Sequence, residues 1–567
     1  MTQQHSEATQ TIIDGYTFES PSIELGVLMT DGSPNPEAKI RISLSMLNRH
    51  GLVAGATGTG KTKTLQVLAE QISAAGVAVF AADIKGDLSG IAIPGSPSEK
   101  LLQRTSKIGQ QWVPTGCPTE FYALGGQGTG VPLRATVSSF GPILLSKVLG
   151  LNETQESSLG LVFHYADTHG LALLDLADLR AVMTYLSSDE GKAELKAIGG
   201  LSSATVGVIL RSLITLESQG AGEFFGEPEF DSADLIRTTA DGRGVVSLLE
   251  LPNLQDRPAI FSTFLMWLLA DLFHDLPEVG DSDRPKLVFF FDEAHLLFAD
   301  ASKAFLQAIA QTVRLIRSKG VGIFFVTQSP KDVPADVLAQ LGNRVQHALR
   351  AFTPDDAKAL KAAVSTYPNS GYDLEELLTQ LGTGEAVITV LSERGAPTPV
   401  AWTRMRAPQS LMGPSPEQLI DQAVAASPGS AKYAAALDRE SAYEVLEGKT
   451  AAAAQAAAQA QADAEAAKAA EAAAKEEAKA RIAAEKEAAR QAAADEKARA
   501  AAEKEAARAQ AAAEKAAAEQ ARREAAQPTV IEQVAESGVF KSMLRSAGTV
   551  IGREITRSIF GTSRRRR

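Results

Sequence analysis

Cysteine is nearly missing from this chain. Cys117 stands alone among 567 residues, which excludes an internal disulfide framework and any cysteine-based metal site and suits a reducing compartment. Histidine is sparse too, and His164 and His169 have no partner at metal-ligand spacing, so they read as ordinary surface or core residues. No apolar run is long enough to cross a bilayer. The longest, Ala259 to Ala270, stops at Asp271 and reads as a core helix. Residues Met1 to Glu7 show neither the basic nor the apolar region of a signal peptide, so a cytoplasmic chain is expected. Basic residues are not in excess: 56 Lys and Arg face 68 Asp and Glu, a formal charge of −12. That argues against a surface that clings to nucleic acid everywhere, while leaving room for a local basic channel. The length suffices for two to four domains and a large core, although alanine inflates the 45% hydrophobic content.

What is present is sharper. Gly55-Ala56-Thr57-Gly58-Thr59-Gly60-Lys61-Thr62 spells the G-x-x-x-x-G-K-T phosphate loop. Leu52, Val53 and Ala54 precede it as a short buried strand, and Leu65, Val67, Leu68 and Ile72 follow at helical spacing. The glycines let backbone N–H groups turn inward onto phosphate oxygens, and the helix adds its positive end. Lys61 supplies charge to the β- and γ-phosphates, and the Thr62 hydroxyl can ligate Mg²⁺. The chain is expected to bind a nucleoside triphosphate.

In chain order, residues 1–40 read as a short β-rich lead-in and 41–130 as the first part of an α/β core. A second strand, Val77 to Ala82, ends at Asp83, which can serve the Mg²⁺ shell, meet a partner arginine or cap the next turn. Residues 131–230 turn helical, with stripes over Pro142–Leu151, Gln155–Ala166 and Leu176–Leu186 and with Asp175 and Ser203 as N-caps, predicting an inserted helical subdomain. Residues 231–410 resume the core, with strands at Gly244–Leu251, Lys286–Asp292, Val321–Thr327, Val345–Phe352 and Ala386–Leu391 alternating with helices, the mark of a parallel sheet. A linker and helix occupy 411–448. Residues 449–527 are alanine with Glu, Lys, Arg and Gln, Ile482 being nearly the only large apolar side chain. No leucine seam marks a coiled coil, so a long solvated helix is expected, on the order of 100 Å if continuous. Residues 528–567 set Phe540, Leu544, Ile551 and Ile555 on one stripe and end in Arg564 to Arg567, an amphipathic basic tail for a partner groove, an anionic membrane surface or nucleic acid.

The second half of the site closes the strand Leu-Val-Phe-Phe-Phe with Asp292-Glu293. Asp292 can receive Mg²⁺ through water, and Glu293 can activate the attacking water. Asp-Glu-Ala-His matches a helicase box, but His295 without the other boxes says little. Gln328, ending the next strand, can hydrogen-bond the γ-phosphate or the water. Between them, Phe305, Ile309, Val313 and Ile316 form a buried stripe, with Arg314 and Arg317 off it, one turn apart. An arginine on such a face can reach a neighbouring subunit's triphosphate or be simply solvated. Asn343-Arg344 is a weaker candidate of the same kind. No Asn-Lys-x-Asp segment reads guanine, which favours ATP over GTP, and a water-activating glutamate favours hydrolysis over phosphoryl transfer to another acceptor.

Taken together, these residues resemble the HerA/FtsK branch of the RecA-like ATPases, which includes the VirB4-type conjugation ATPases. The likeness rests on Asn48-Arg49-His50 leading into Gly55–Thr62, on Phe-Phe-Phe-Asp292-Glu293-Ala-His, and on Thr327-Gln328-Ser-Pro. A nearer likeness, to an uncharacterised group of bacterial HerA-like proteins, lies in Val131-Pro132-Leu133-Arg134 and Phe225-Gly226-Glu227-Pro228. It covers about residues 10 to 410 and implies a RecA-like core, commonly a homo-hexameric ring coupling ATP hydrolysis to movement of DNA or protein through its pore. It also implies Arg317, or else Arg314, as an arginine finger in trans. The family's longer N-terminal barrel for docking a nuclease has no counterpart in 40 residues, which argues against that partnership. Three classes stay open: a DNA translocase or helicase, a motor on a protein or membrane client reached through residues 530–567, and a nucleotide-gated scaffold.

Overall fold

The structure is a computed structural model that describes residues 6–522 apart from 126–127, 197–198, 252–257, 281, 299–300 and 302. It divides into two units, residues 1–455 and 456–567. The first unit is built on strands β1 (Ser22–Thr30), β2 (Ser33–Ser43), β3 (Gly51–Ala54), β4 (Ala78–Asp83), β5 (Thr119–Leu124), β6 (Val131–Leu133), β7 (Val246–Glu250), β8 (Leu287–Phe291), β9 (Val321–Thr327), β10 (Asn343–Gln346), β11 (Glu385–Thr389) and β12 (Ala401–Met405). They form one sheet in the order β2-β1-β12-β11-β10-β3-β9-β8-β4-β7-β5-β6. Every pairing from β10 through to β6 is parallel, and those from β2 to β10 are antiparallel. This is the α/β, RecA-like arrangement expected.

The sheet's apolar runs divide with period two, as strands covered on both faces must. Leu287, Phe289 and Phe291 of β8 enter one core and Val288 and Phe290 the other, and β4 and β9 alternate in the same way. The first core is completed by the helices Pro258–Asp275 and Lys303–Ile316 and by consecutive helices between Val137 and Ser218. The second receives the helix Lys61–Ala74. Because β9 lies between β3 and β8, the chain segments after all three emerge side by side at one edge.

Some boundaries differ from expectation, for local reasons. The helix expected from Pro142 begins at Val137 and kinks at Gly141, whose φ of 67° precedes Pro142. Asp175 caps its helix, its carboxylate accepting from Asp178 N at 3.0 Å, but the next cap is Ser202 rather than Ser203, accepting from Thr205 N at 3.1 Å. The strand expected over Val345–Phe352 ends at Gln346, because the chain beyond leaves the ladder to run along the glycine loop. The lead-in holds a helix, Glu7–Gly15, before a bulged β1–β2 hairpin that joins the main sheet through β12. Asn343 is a buried fastener, its amide donating to Met46 O and His50 O at 2.9 Å and its oxygen accepting from Leu391 N at 3.2 Å.

The long helix runs over Ala442–Arg522, 81 residues. Ala442 and Leu446 of its first turns are buried in the first unit. In the second unit every described side chain through Ala516 is exposed, with pairs such as Lys475–Glu471 at 2.7 Å along the helix. The amphipathic tail, 528–567, lies outside the described residues.

Replacing Asn343 with alanine removes the side-chain donor to Met46 O and His50 O and the acceptor of Leu391 N, although His50 O keeps the backbone N–H of residue 343. The expected loss is about 3 kcal/mol, read as a lower urea midpoint of the full chain; an unchanged midpoint would remove Asn343 from its role as fastener.

Candidate active site

The site begins with how the glycine loop is held. Gly55 N donates to Thr327 O of β9 at 3.2 Å, and Ala56 N donates to Ala348 O beyond β10 at 2.8 Å. The loop is therefore pinned by both strands that flank β3. Gly55 has φ 154°, and a Cβ there would sit 2.5 Å from the Cβ of His347. Gly60 has φ 117° and would press a Cβ to 3.4 Å from the Gly384 backbone. Both positions need glycine. Around this turn the N–H groups of Thr57, Gly58, Gly60, Lys61 and Thr62 have no hydrogen-bond partner among the described residues. They form an anion cradle at the start of the helix Lys61–Ala74. The buried Lys61 ammonium donates to Ala56 O at 3.3 Å across the loop. Burial holds its pKa below the usual lysine value, against the opposing charges of Glu293 and Asp292.

His347 escaped the sequence analysis. It is fully buried beneath the loop, with Nδ1 2.8 Å from Glu385 O and Nε2 2.9 Å from the Thr64 hydroxyl. Burial lowers its pKa to about 4, so it is a neutral strut between the loop's helix and β11. Nothing in its neighbours along the chain signals this, because the contact depends on β10 lying beside β3.

Across from the cradle, Asp292 and Glu293 follow β8. Asp292 is buried; its Oδ1 accepts from Glu293 N at 2.9 Å, and its Oδ2 has no partner among the described residues. Burial, and then the Glu293 charge, push its pKa up to about 7. Glu293 has φ 46°, a left-handed conformation that costs a non-glycine residue about 1 kcal/mol. Its carboxylate is ion-paired with Lys85, from the loop after β4. Burial alone would raise its pKa, but the Lys85 hydrogen bond and charge hold it below the usual value, so it is ionised at neutral pH. His295 Nδ1 lies 3.2 Å from Glu293 Oε2 without the angle of a hydrogen bond. Lys85 was another residue the sequence did not single out.

Asp83 turns out to clamp its own loop. Its carboxylate accepts from the backbone of Lys85, Gly86 and Leu88 at 3.1, 2.7 and 2.7 Å, and burial lifts its pKa to about 6. By fixing this turn it places Lys85. Beside it Glu250, ending β7, is buried and driven to about 8 by burial and by the charges of Asp83 and Asp87.

The unpaired Asp292 oxygen is what a Mg²⁺ site requires of the protein, and Thr62 opens the facing helix. Among the described residues no group of three or more His, Cys, Asp or Glu could cage a metal alone. The donors fit a Mg²⁺ that takes most of its oxygens from phosphates and water.

Gln328, after β9, lines an open cleft of about 440 Å³ with Ala56, Thr57 and His295. Arg314 and Arg317 are not brought there. They precede β9, at the opposite edge of the sheet, exposed and with Arg317 near His50 at the start of β3. The length of β9, roughly 20 Å, separates them from their own chain's cradle.

Comparison with known proteins agrees in kind with this geometry. The family described as Helicase HerA-like C-terminal matches residues 29–496. A probable helicase of Methanocaldococcus jannaschii is 25% identical over 389 residues, 65% of this chain and 68% of that protein. The DNA double-strand break repair helicase HerA of Sulfurisphaera tokodaii is 23% identical over 377 residues, 65% and 67% of the two chains. Among solved structures, the plasmid coupling protein TrwB bound to a non-hydrolysable ATP analogue is 15% identical and superposes with a TM-score of 0.47, covering 72% of this chain and 94% of that one.

A carboxyl with a raised folded-state pKa binds protons more readily folded than unfolded, so its effect on stability worsens as pH rises from about 4 through 7. Asp292→Asn is therefore expected to stabilise the nucleotide-free protein at pH 8, by up to about 4 kcal/mol, and progressively less toward pH 5. Thermal melts across that range check it; a constant difference would place the gain elsewhere.

Proposed function

Because the chain belongs to the Helicase HerA-like C-terminal family of P-loop ATPases, we propose that it is an ATP-hydrolysing motor that assembles as a homo-hexameric ring and moves DNA, as a translocase or helicase. The observation that carries this reading is an ionised Glu293, anchored by Lys85, facing a set of N–H donors and Lys61 on one edge, with exposed Arg314 and Arg317 on the other.

In this reading Gly55, Ala56, Thr57, Gly58, Thr59 and Gly60 wrap the phosphates, and Lys61 offsets charge on the β- and γ-phosphates. Thr62 and Asp292 would hold Mg²⁺, which when bound would neutralise phosphate charge. Glu293 takes the proton of the attacking water, Gln328 orients that water or the γ-phosphate, and Arg317, or else Arg314, arrives from the adjacent subunit. Residues 41–130 and 231–410 are the two parts of the motor core and 131–230 an inserted helical subdomain. We place the protein in the cytoplasm. A protein or membrane-surface client contacted through residues 530–567 is the second reading, favoured by the net charge of −12 together with Arg564–Arg567.

Three outcomes are expected. Glu293→Gln should bind ATP yet lose turnover by about 10²-fold or more, with Lys61→Ala as the blank; normal turnover by Glu293→Gln overturns the assignment. Lys61→Ala should be inactive and Arg317→Ala strongly slowed, and mixing them should raise hydrolysis above either alone where an intact loop meets an intact arginine. Adding duplex or single-stranded DNA to the wild type should raise turnover several-fold, and the effect should vanish at high salt. Turnover indifferent to DNA selects the protein or membrane client.

A further inference from the structure

The cleft beside Gln328 contains a residue that neither the sequence motifs nor the family assignment uses. Beyond β10 the chain keeps pairing with the glycine loop: His347 N donates to Ala54 O at 2.7 Å, and Ala348 O receives Ala56 N at 2.8 Å. Leu349 N is then fixed to Leu378 O at 3.0 Å. Arg350 follows directly, two residues beyond the last backbone contact with the loop, Ala348 O. Its side chain lines the cleft with Ala56, Thr57 and Gln328 and has no partner among the described residues.

The cleft's charges decide what it receives. Its carboxylates already have donors. Asp332 accepts from the Thr327 hydroxyl at 2.8 Å and Ser329 N at 2.9 Å, and Asp356 accepts from Thr353 N at 3.0 Å. Of its two lining Lys and Arg side chains, Lys331 acts on the Asp356 charge, and Arg350 has no hydrogen bond or ion pair among the described residues. Arg350 thus opens on the Ala56–Thr57 side of the loop able to receive an anion at the loop's outer rim. That is the side where Gln328 and the attacking water belong.

We propose that Arg350 is a catalytic residue supplied in cis, its guanidinium resting on the transferred phosphoryl group of the chain's own ATP. Water bonds to the γ-phosphorus as the bond from that phosphorus to the β-bridging oxygen breaks, and Glu293 takes the water's proton. ADP leaves with the electron pair, and Arg350 balances charge on the equatorial oxygens in flight. A site with a resident arginine does not depend wholly on the neighbour's. The proposal rests on the ATP-hydrolysis reading above.

The test uses the full chain, free of DNA, with Arg350→Ala, Arg350→Lys and Lys61→Ala. Arg350→Ala should lower kcat by on the order of 10²-fold while binding of a non-hydrolysable ATP analogue changes less than about threefold. It should also fail to trap ADP with aluminium fluoride, a mimic of the phosphoryl group in transit. Arg350→Lys, keeping charge but not the planar fork, should fall between. Because Arg350 is exposed, melting temperatures should match the wild type. Wild-type kcat in Arg350→Ala overturns the proposal, and a simultaneous loss of single-stranded DNA binding would reassign the guanidinium to nucleic acid. Equal loss of kcat and analogue affinity overturns it too, as a binding role alone. Absence of any Lys61-dependent hydrolysis in the wild type would instead sink the underlying reading, a distinguishable result.

Discussion

A sheet buried on both faces can be polar only at its ends, and here its carboxyl end collects more negative charge than it can hold. Asp83, Glu250, Asp292 and Glu293 all finish or follow strands there and are all buried. Each is reconciled differently. Asp83 is surrounded by backbone N–H groups, Glu293 by Lys85, while Glu250 and Asp292 are pushed toward their neutral forms, to about 8 and about 7. Opposite them, burial lowers the pKa of Lys61. Without a ligand the edge is electrostatically uncomfortable for acids and bases alike. In the proposed function a polyphosphate arriving with a divalent cation would relieve both, its anions meeting Lys61 and the loop N–H groups and its cation Asp292. Displaced pKa values of this kind cluster where chemistry is done.

The opposite edge is organised by a different buried group. His50, with φ 60° and a pKa lowered to about 4 by burial, places Nε2 2.7 Å from Val313 O and accepts from Ile323 N at Nδ1, 3.0 Å away. Its own carbonyl receives both Asn343 N and the Asn343 amide. The end of the arginine-bearing helix, the start of β9, the start of β3 and β10 thus meet at one imidazole. β3 leads directly to the glycine loop and β9 to Gln328, so the two edges of the sheet are joined by its central strands and not by mobile connections.

How much of this the sequence disclosed depends on what each feature requires. The glycine loop is legible because its function requires consecutive residues. β8 and β9 are legible because central strands of a covered sheet are apolar throughout. The long helix is legible from composition, since 81 residues of strong helix formers need no partner. β5, β6 and β12 escaped notice because they are short and mixed; Ala401, Thr403 and Met405 are buried, but Trp402 and Arg404 between them are half-exposed. His347, Lys85 and Arg350 were invisible for a further reason. Each meets a residue far along the chain, 208 residues for Lys85 and Glu293 and 283 for His347 and Thr64, while Arg350 shares its cleft with Ala56, and only the strand order brings them together. The Ser202 cap missed by one residue reflects adjacent serines that satisfy the same pattern.

The strand order also separates what one chain can do from what it must borrow. Everything tied to β3, β8, β9 and β10 at the carboxyl edge is assembled by folding: the cradle, Lys61, the acidic pair, Gln328 and the ladder that ends at Ala348, two residues before Arg350. Arg314 and Arg317, at the amino edge, lie the length of β9 away from that cradle. In the proposed ring, nucleotide binding would be a property of the fold and the full rate of turnover a property of the assembly. Such a division would suit a motor, because a subunit that fires at full rate only when its neighbour is seated would convert hydrolysis into an ordered sequence around the ring.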